Sequence, residues 1–376
     1  MRFLLFPFSL ASRAVCAIKN VLYRRGIFRP REAPLPVISV GNITLGGSEK
    51  TPLVMAIVAR LLDQGFRPAV VTRGYRGSWE KSGGMLSDGR NLLATWRESG
   101  DEPFMIARNF PAAGVFIGKD RLSSCVRALG AGFNTAVLDD GFQHRRLGRG
   151  LDIVLHDPRE RTALRESVST LGRAHVILIG REVPESLKER LKKRFPDKDV
   201  LEYDRTAAGY IRLVPGAASP GCLPAGQDGG TPLFPGPGSP RSAAPACFPP
   251  SFFLGKKVVA FCGIARPRRF FSLLASQGAD IAGSLSFPDH HVYPAGSMQK
   301  IARMIEKARP EAAVTTEKDA VKIMDRLEIF GRLPVYYLKL NIRIEEKLYE
   351  TITRYLKSTG LPAISAPAAG GDPGEG

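Results

Sequence analysis

From about residue 35 the chain alternates short apolar runs with stretches of helical period, and this alternation constrains the fold more than any other feature. Leu35–Val40 reads as a buried strand, and Thr51–Leu62 carries apolar residues at helical spacing until Gly65 ends the run. Further strands are expected at Pro68–Thr72, Val115–Ile117, Thr135–Leu138, Ile153–Leu155 and Val176–Ile179, with helices near 102–109 and 120–129. Such a pattern specifies an α/β fold with a parallel sheet and helices on both faces.

Residues 205–252 break the pattern. Val214 to Pro250 is dense in Pro, Gly, Ser and Ala and has no hydrophobic period, so a loop or disordered insertion is expected there. The alternation then resumes. Strands are expected at Val258–Cys262, Ile281–Phe287, Ala312–Thr315 and Val335–Leu340, and helices near 267–277, 296–308 and 344–357. The expected organisation is a larger α/β core at 33–204, a Pro/Gly-rich linker at 205–252, a smaller second α/β lobe at 253–357 and a disordered tail at 358–376, with a separate segment at 1–32.

That first segment opens with the apolar run FLLFPFSLA, broken by Pro7 and closed by Arg13. The run is too short to span a bilayer, which takes roughly 20 apolar residues. Arg13 and Lys19 interrupt what a signal peptide would keep neutral. A membrane-associated interfacial helix fits better: Leu10, Val15, Ile18, Val21 and Leu22 are followed by Arg24, Arg25, Arg29 and Arg31, with no acid before Glu32. A helix packed on its own domain is the competing reading. The whole chain is also basic, with 54 Lys+Arg against 36 Asp+Glu and a formal net charge of +18. An excess of that size favours an anionic partner: nucleic acid, phosphorylated substrate or acidic lipid. No aromatic-basic module or recognition-helix signature supports nucleic acid. The five cysteines are scattered without a CxxC pair, which argues against a disulfide framework or a zinc site and fits a reducing compartment.

Chemistry concentrates in a few segments. Gly41 to Pro52 reads strand, Gly-rich turn, Lys-Thr, helix, an arrangement whose backbone N–H groups, helix N-terminus, lysine and hydroxyl suit nucleotide phosphates and Mg²⁺. Gly46 and Gly47 lie in the turn and Lys50 and Thr51 open the helix, but Thr44 and Glu49 stand where GxxxxGK[ST] requires Gly. A structural glycine turn is the alternative. Ala136-Val-Leu-Asp-Asp140 is an apolar strand ending in two carboxylates, suited to a hard cation that keeps several waters. Gly100-Asp-Glu-Pro103 offers a general base or a metal-positioning group, or simply caps a helix. Gly118-Lys-Asp-Arg121 offers cations to a phosphate or a solvated helix start. Phe287-Pro-Asp-His-His291 groups three residues able to exchange protons. Thr316-Glu-Lys-Asp-Ala-Val-Lys322 is a dense charged turn that either reaches a phosphate or begins a helix.

Taken together, these segments resemble the tetraacyldisaccharide 4′-kinase (lipid A 4′-kinase) family. The resemblance runs from residue 1 to about 345, through VGNITLGGSEKTP, TRGYRG, GDEP, GKDR, VLDDGFQHRRL, GIARPRRFF, FPDHH and TEKDAVK. It implies a P-loop NTPase-like fold and a monomeric peripheral enzyme on the cytoplasmic face of the bacterial inner membrane. That enzyme would use ATP and Mg²⁺ to phosphorylate the 4′-hydroxyl of the lipid A disaccharide 1-phosphate precursor, giving lipid IVA. Catalysis would fall to Asp101, His290 and Lys50, with Asp101 activating the sugar hydroxyl and His290 orienting it. Gly46, Gly47, Ser48, Glu49, Lys50, Thr51, Arg121, Gln143 and His144 would contact nucleotide, and Thr51, Asp139, Asp140 and Glu102 the metal. Glu49 departs from the family's turn, which has Gly there, and a catalytically impaired nucleotide-binding relative is the alternative reading.

Overall fold

The computed structural model describes residues 6–44, 50–160, 164–214 and 246–361. The helices in this structure are α1 Phe6–Arg24, α2 Lys50–Asp63, α3 Trp79–Ser82, α4 Trp96–Ser99, α5 Asp101–Asn109 and α6 Arg121–Gly130. They continue with α7 Glu185–Arg194, α8 Pro267–Ser276, α9 Ala295–Ala308, α10 Glu317–Ile323 and α11 Glu346–Ser358. The first strands are β1 Val37–Asn42, β2 Pro68–Thr72, β3 Gly84–Asp88, β4 Gly114–Ile117, β5 Thr135–Asp139, β6 Leu151–Leu155 and β7 Val176–Gly180. Then come β8 Asp199–Leu213, β9 Cys247–Phe248, β10 Lys257–Cys262, β11 Asp280–Ser286, β12 Ala312–Thr316 and β13 Val335–Ile344.

All thirteen strands join one sheet in the order β11-β10-β12-β13-β8-β7-β6-β1-β5-β2-β4-β3, with β9 on β8. Pairing is parallel except at β13–β8, β3–β4 and β8–β9. The side-chain period of two divides the first half between two cores. Ile38, Val40 and Val137 pack with Leu53, Ile57 and Ile106 on one face. Val37, Ala136 and Leu138 pack with Cys125 and Ala128 on the other. Helices therefore cover both faces, and the strand runs read as continuously apolar because neither face is wet.

Two sequence expectations need correction. The pattern break expected at 205 falls inside β8, which runs on to Leu213 with Tyr210 and Ile211 fully buried. Thr206, Ala207, Ala208 and Gly209 are too small to read as a strand, and the pairing of Thr206, Ala207 and Gly209 with β13, around a bulge at Ala208, supplies what the local pattern lacks. The second correction concerns the strand expected at Val335–Leu340: β13 continues to Ile344, and the helix expected near 344–357 follows as α11. The halves are consequently joined by continuous sheet as well as by the chain, since β8 bridges β7 and β13. α11 also returns to the first half: Leu348, Ile352 and Leu356 enter its core, and the Tyr355 hydroxyl accepts from Val37 N at 3.0 Å. Val214 remains exposed, and the rest of the Pro/Gly-rich stretch to residue 245 lies outside the described residues, as does most of the C-terminal tail.

Candidate active site

β1 and β5 pair in parallel, so their C-terminal ends open at one edge of the sheet beside the start of α2. Lys50 heads α2 with its Nζ 2.5 Å from Asp140 Oδ1 and 3.2 Å from Asn42 Oδ1. Asn42 is fully buried at the end of β1, donates to Thr44 Oγ1 at 2.8 Å, and accepts from Gln143 Nε2 through its carbonyl at 2.8 Å. Leu45, Gly46, Gly47, Ser48 and Glu49, the turn between β1 and α2, lie outside the described residues.

The two adjacent aspartates have opposite surroundings. Asp140 adopts left-handed backbone with φ 57°, costing an L-residue about 1–2 kcal/mol. That turn delivers its carboxylate to Lys50 and to Arg165, 2.9 Å away. Partial burial raises its pKa, but those two cations outweigh burial and hold the carboxyl well below its usual range. Asp139, by contrast, is buried with Oδ1 lacking any hydrogen-bond partner. Burial first, then the Glu102 carboxylate, push its pKa up to about 7. An unpartnered buried carboxylate oxygen is costly and calls for a proton or a cation.

Glu102 connects this cluster to a second one. Its Oε2 accepts from Thr51 Oγ1 at 3.3 Å, and its Oε1 accepts from Lys318 Nζ at 2.8 Å. Glu102 and Asp101 open α5 after Gly100, whose φ of +91° strains any residue with a side chain and where a Cβ would lie 3.0 Å from Tyr75 O. Gly100 is the N-cap, while Asp101 Oδ1 accepts from the Glu102 N–H at 2.9 Å. Asp101 is 5% exposed and faces the second half of the chain, with Oδ1 and Oδ2 lying 3.0 and 3.1 Å from His290 Nδ1. His290 reaches it from a left-handed backbone, φ 60°, in the loop after β11. Burial raises the Asp101 pKa, yet the His290 hydrogen bond and the charges of Lys318 and Lys322 prevail and hold it well below the carboxylate range.

α10 supplies those lysines. Thr316 caps it by accepting from Asp319 N at 3.2 Å, and the first turns then face α5. Lys318 Nζ also lies 3.2 Å from Asp289 Oδ1 and 3.2 Å from His290 Nε2. Lys322 Nζ, 1% exposed, sits 3.3 Å from Asp101 Oδ2 and 2.8 Å from Asp319 Oδ1. Asp319 in turn accepts from Gly263 N at 2.8 Å and from Thr316 Oγ1 at 2.6 Å.

The structure thus gathers Lys50, Thr51, Glu102, Asp139 and Asp140 at one end and Asp101 with His290 at the other. Arg121 is buried, donates to Gly118 O, and keeps its charge: burial lowers its pKa to about 10 while Asp139 and Asp140 oppose the drop. The preceding Asp120 caps α6, so the GKDR segment starts a helix and brings Arg121 to the charges of Asp139 and Asp140. His144 stands further round the turn by Arg121 and Arg149; burial, then those cations, bring its pKa down to about 4 and keep it neutral. Sequence reasoning missed Asn42 and Arg165. Arg165 belongs to no motif, and only tertiary placement reveals it. The segment carrying Lys318, Asp319 and Lys322 starts a helix, α10, and brings the two lysines to Glu102 and Asp101.

A lysine and a hydroxyl stand at a helix start beside a buried acidic strand end and a carboxylate–imidazole pair, groups of the kind that phosphoryl transfer uses. Comparison with known proteins narrows the class. The family described as Tetraacyldisaccharide-1-P 4′-kinase (LpxK) matches residues 1–357. The tetraacyldisaccharide 4′-kinase of Syntrophus aciditrophicus is 34% identical over 376 residues, covering 95% of this chain and 93% of its own. That of Desulfotalea psychrophila is 33% identical over 375 residues, covering 94% and 97%. A crystal structure described as the "apo" form of LpxK from Aquifex aeolicus in complex with ATP superposes with a TM-score of 0.68 at 27% identity, over 94% of this chain and 99% of that one. The chain belongs to the tetraacyldisaccharide-1-P 4′-kinase family.

Proposed function

We propose that this chain transfers the γ-phosphate of ATP to the 4′-hydroxyl of a tetraacyl disaccharide 1-phosphate in lipid A biosynthesis. Besides the family, the observation that carries this reading is the Asp101–His290 pair, held 3.0 Å apart at the start of α5, next to Glu102 and Thr51. Phosphoryl transfer asks the protein mainly to position reactants and neutralise charge. Lys50 and Arg165 would exchange Asp140 for phosphate oxygens, and Arg121 adds a buried positive charge behind them. Asp101 would accept the proton of the attacking hydroxyl as the new O–P bond forms and the β–γ bridge breaks. His290 would hold the carboxylate's direction throughout.

A divalent cation fits the residues present. Asp139 offers its unpartnered buried oxygen, with the Thr51 hydroxyl and Glu102 beside it. Among the described residues no group of three or more His, Cys, Asp or Glu side chains forms a protein cage, in keeping with Mg²⁺, which binds few carboxylates and keeps its waters. When bound, Mg²⁺ would neutralise phosphate charge.

The substrate's acyl chains imply work at a membrane. Among the described residues no helix is long and apolar enough to cross one. α1 nevertheless leaves Val15 and Ile18 more than half exposed, and Ile27 and Phe28 follow among the exposed Arg24, Arg25 and Arg29. The end of α1 is tied to the body of the protein through Asn20 and Tyr23: Arg145 donates to Asn20 Oδ1 at 2.9 Å and lies over the Tyr23 ring. An apolar strip rimmed by cations would rest on the anionic cytoplasmic face of the inner membrane. The test is direct. Purified protein with Mg-ATP and the disaccharide 1-phosphate yields a 4′-phosphorylated product; absence of product at saturating ATP removes the reading.

A further inference from the structure

His290 is held from both sides of its ring. Nδ1 faces the Asp101 carboxylate at 3.0 and 3.1 Å, while Nε2 lies 3.2 Å from Lys318 Nζ. An ammonium group has three donors and no acceptor, so its hydrogen bond to Nε2 needs that nitrogen unprotonated. A neutral imidazole then carries its proton on Nδ1, where it donates to Asp101. Lys318 Nζ also donates to Glu102 Oε1 at 2.8 Å and to Asp289 Oδ1 at 3.2 Å, so its three donors are all engaged.

We infer that Lys318 is a positioning residue that fixes the tautomer of His290, so that Nδ1 always offers Asp101 a proton. The alternative tautomer has an evident driver within the same loop. Asp289 Oδ2 lies 3.8 Å from Nε2 and would accept from an Nε2–H. Lys318 blocks this by occupying Asp289 Oδ1 at 3.2 Å while donating to Nε2. A lone pair at Nδ1 would repel Asp101 and leave its carboxylate to swing toward Lys322. The other neighbours of the ring do not choose between tautomers. Tyr75 meets it edge-on at 5.2 Å between centroids, Arg76 donates to the Asp289 carbonyl at 3.0 Å, and Lys322 contacts Asp101 rather than the ring. One lysine thereby links the Thr51–Glu102 end of the site to the Asp101–His290 end. The inference takes its purpose from the phosphotransferase reading but its geometry from the three side chains alone.

The test is ¹⁵N NMR of the full chain labelled at histidine. Five imidazoles contribute, and a His290→Gln sample assigns the one in question. The wild type at neutral pH is expected to show Nδ1 protonated and Nε2 unprotonated. In Lys318→Met the proton moves to Nε2 and kcat falls by about 10–100-fold, the usual cost of losing a supporting contact. Lys318→Arg keeps a donor at Nε2 and restores the wild-type pattern. A wild-type His290 protonated on Nε2 overturns the inference without any variant, so a Lys318→Met that fails to fold does not protect it. An unchanged pattern in a folded Lys318→Met overturns it too. Wild-type protein with the expected pattern but no turnover would instead sink the proposed function and uphold the tautomer assignment.

Discussion

Replacing Lys322 by Met should destabilise the protein by about 3 kcal/mol, because it strands buried negative charge. Lys322, Asp101 and Asp319 are 1, 5 and 0% exposed, and the single ammonium lies within 3.3 Å of both carboxylates. Breaking a buried ion pair by deleting one partner typically costs about 3–5 kcal/mol, most of it the penalty of the charge left behind. The lower end applies here since neither carboxylate becomes wholly bare. Asp319 keeps the Gly263 N–H and the Thr316 hydroxyl, and Asp101 keeps His290. Met nearly conserves the aliphatic volume, so cavity formation adds little. Urea unfolding followed by fluorescence reads the change as a lower midpoint at similar slope. Adding Asp319→Asn to Lys322→Met removes one of the stranded charges and should recover part of the loss. A shift under about 1 kcal/mol in Lys322→Met, or a further loss in the double variant, would refute the view that this lysine neutralises a buried acidic pair.

His156 lies 4% exposed at the end of β6, and burial lowers its pKa to about 4. Because the folded value is below the unfolded one near 6.5, stability is intact above pH 6.5 and lost as pH falls toward 4. Wild type should therefore lose about 2 kcal/mol more than His156→Gln between pH 7 and pH 5; parallel pH–stability curves for the two proteins would contradict this. At the membrane, cations near an anionic surface are worth about 1 kcal/mol each. Replacing Arg24, Arg25 and Arg29 together by Gln should thus weaken vesicle co-sedimentation about 100-fold on anionic lipid and leave neutral lipid unchanged. Equal binding by both proteins would remove the interfacial role of α1.

Much of this architecture was legible in the residues. Strands such as β1, β5 and β7 are buried at every position because both faces of the parallel sheet are covered, so their sequences are mostly apolar, and their boundaries fall within about two residues of expectation. β8 was not legible. Its second half carries Thr206 to Gly209, and it is held as a strand by β13, more than 120 residues further along. The acidic and lysine positions of the site could be read because Gly-rich turns and strand ends announce them. The pairing of those residues could not. Nothing local to Asp139 and Asp140 says that one will meet Lys50 and Arg165 while the other keeps a bare oxygen. The same holds for Lys318 and Lys322, whose roles arise only when α10 packs against α5.

In the proposed function Asp101 is the group that receives the acceptor's proton. The decisive measurement is kcat for 4′-phosphorylation by Asp101→Asn alongside its affinity for ATP. Removing a positioned base costs about 10²–10⁴ in rate, so kcat should fall by at least 100-fold. ATP binding, which the proposed function assigns to Lys50 and its neighbours, should stay within a few-fold of wild type. Near-normal turnover in this variant, or a loss explained by failure to bind ATP, would contradict the central claim.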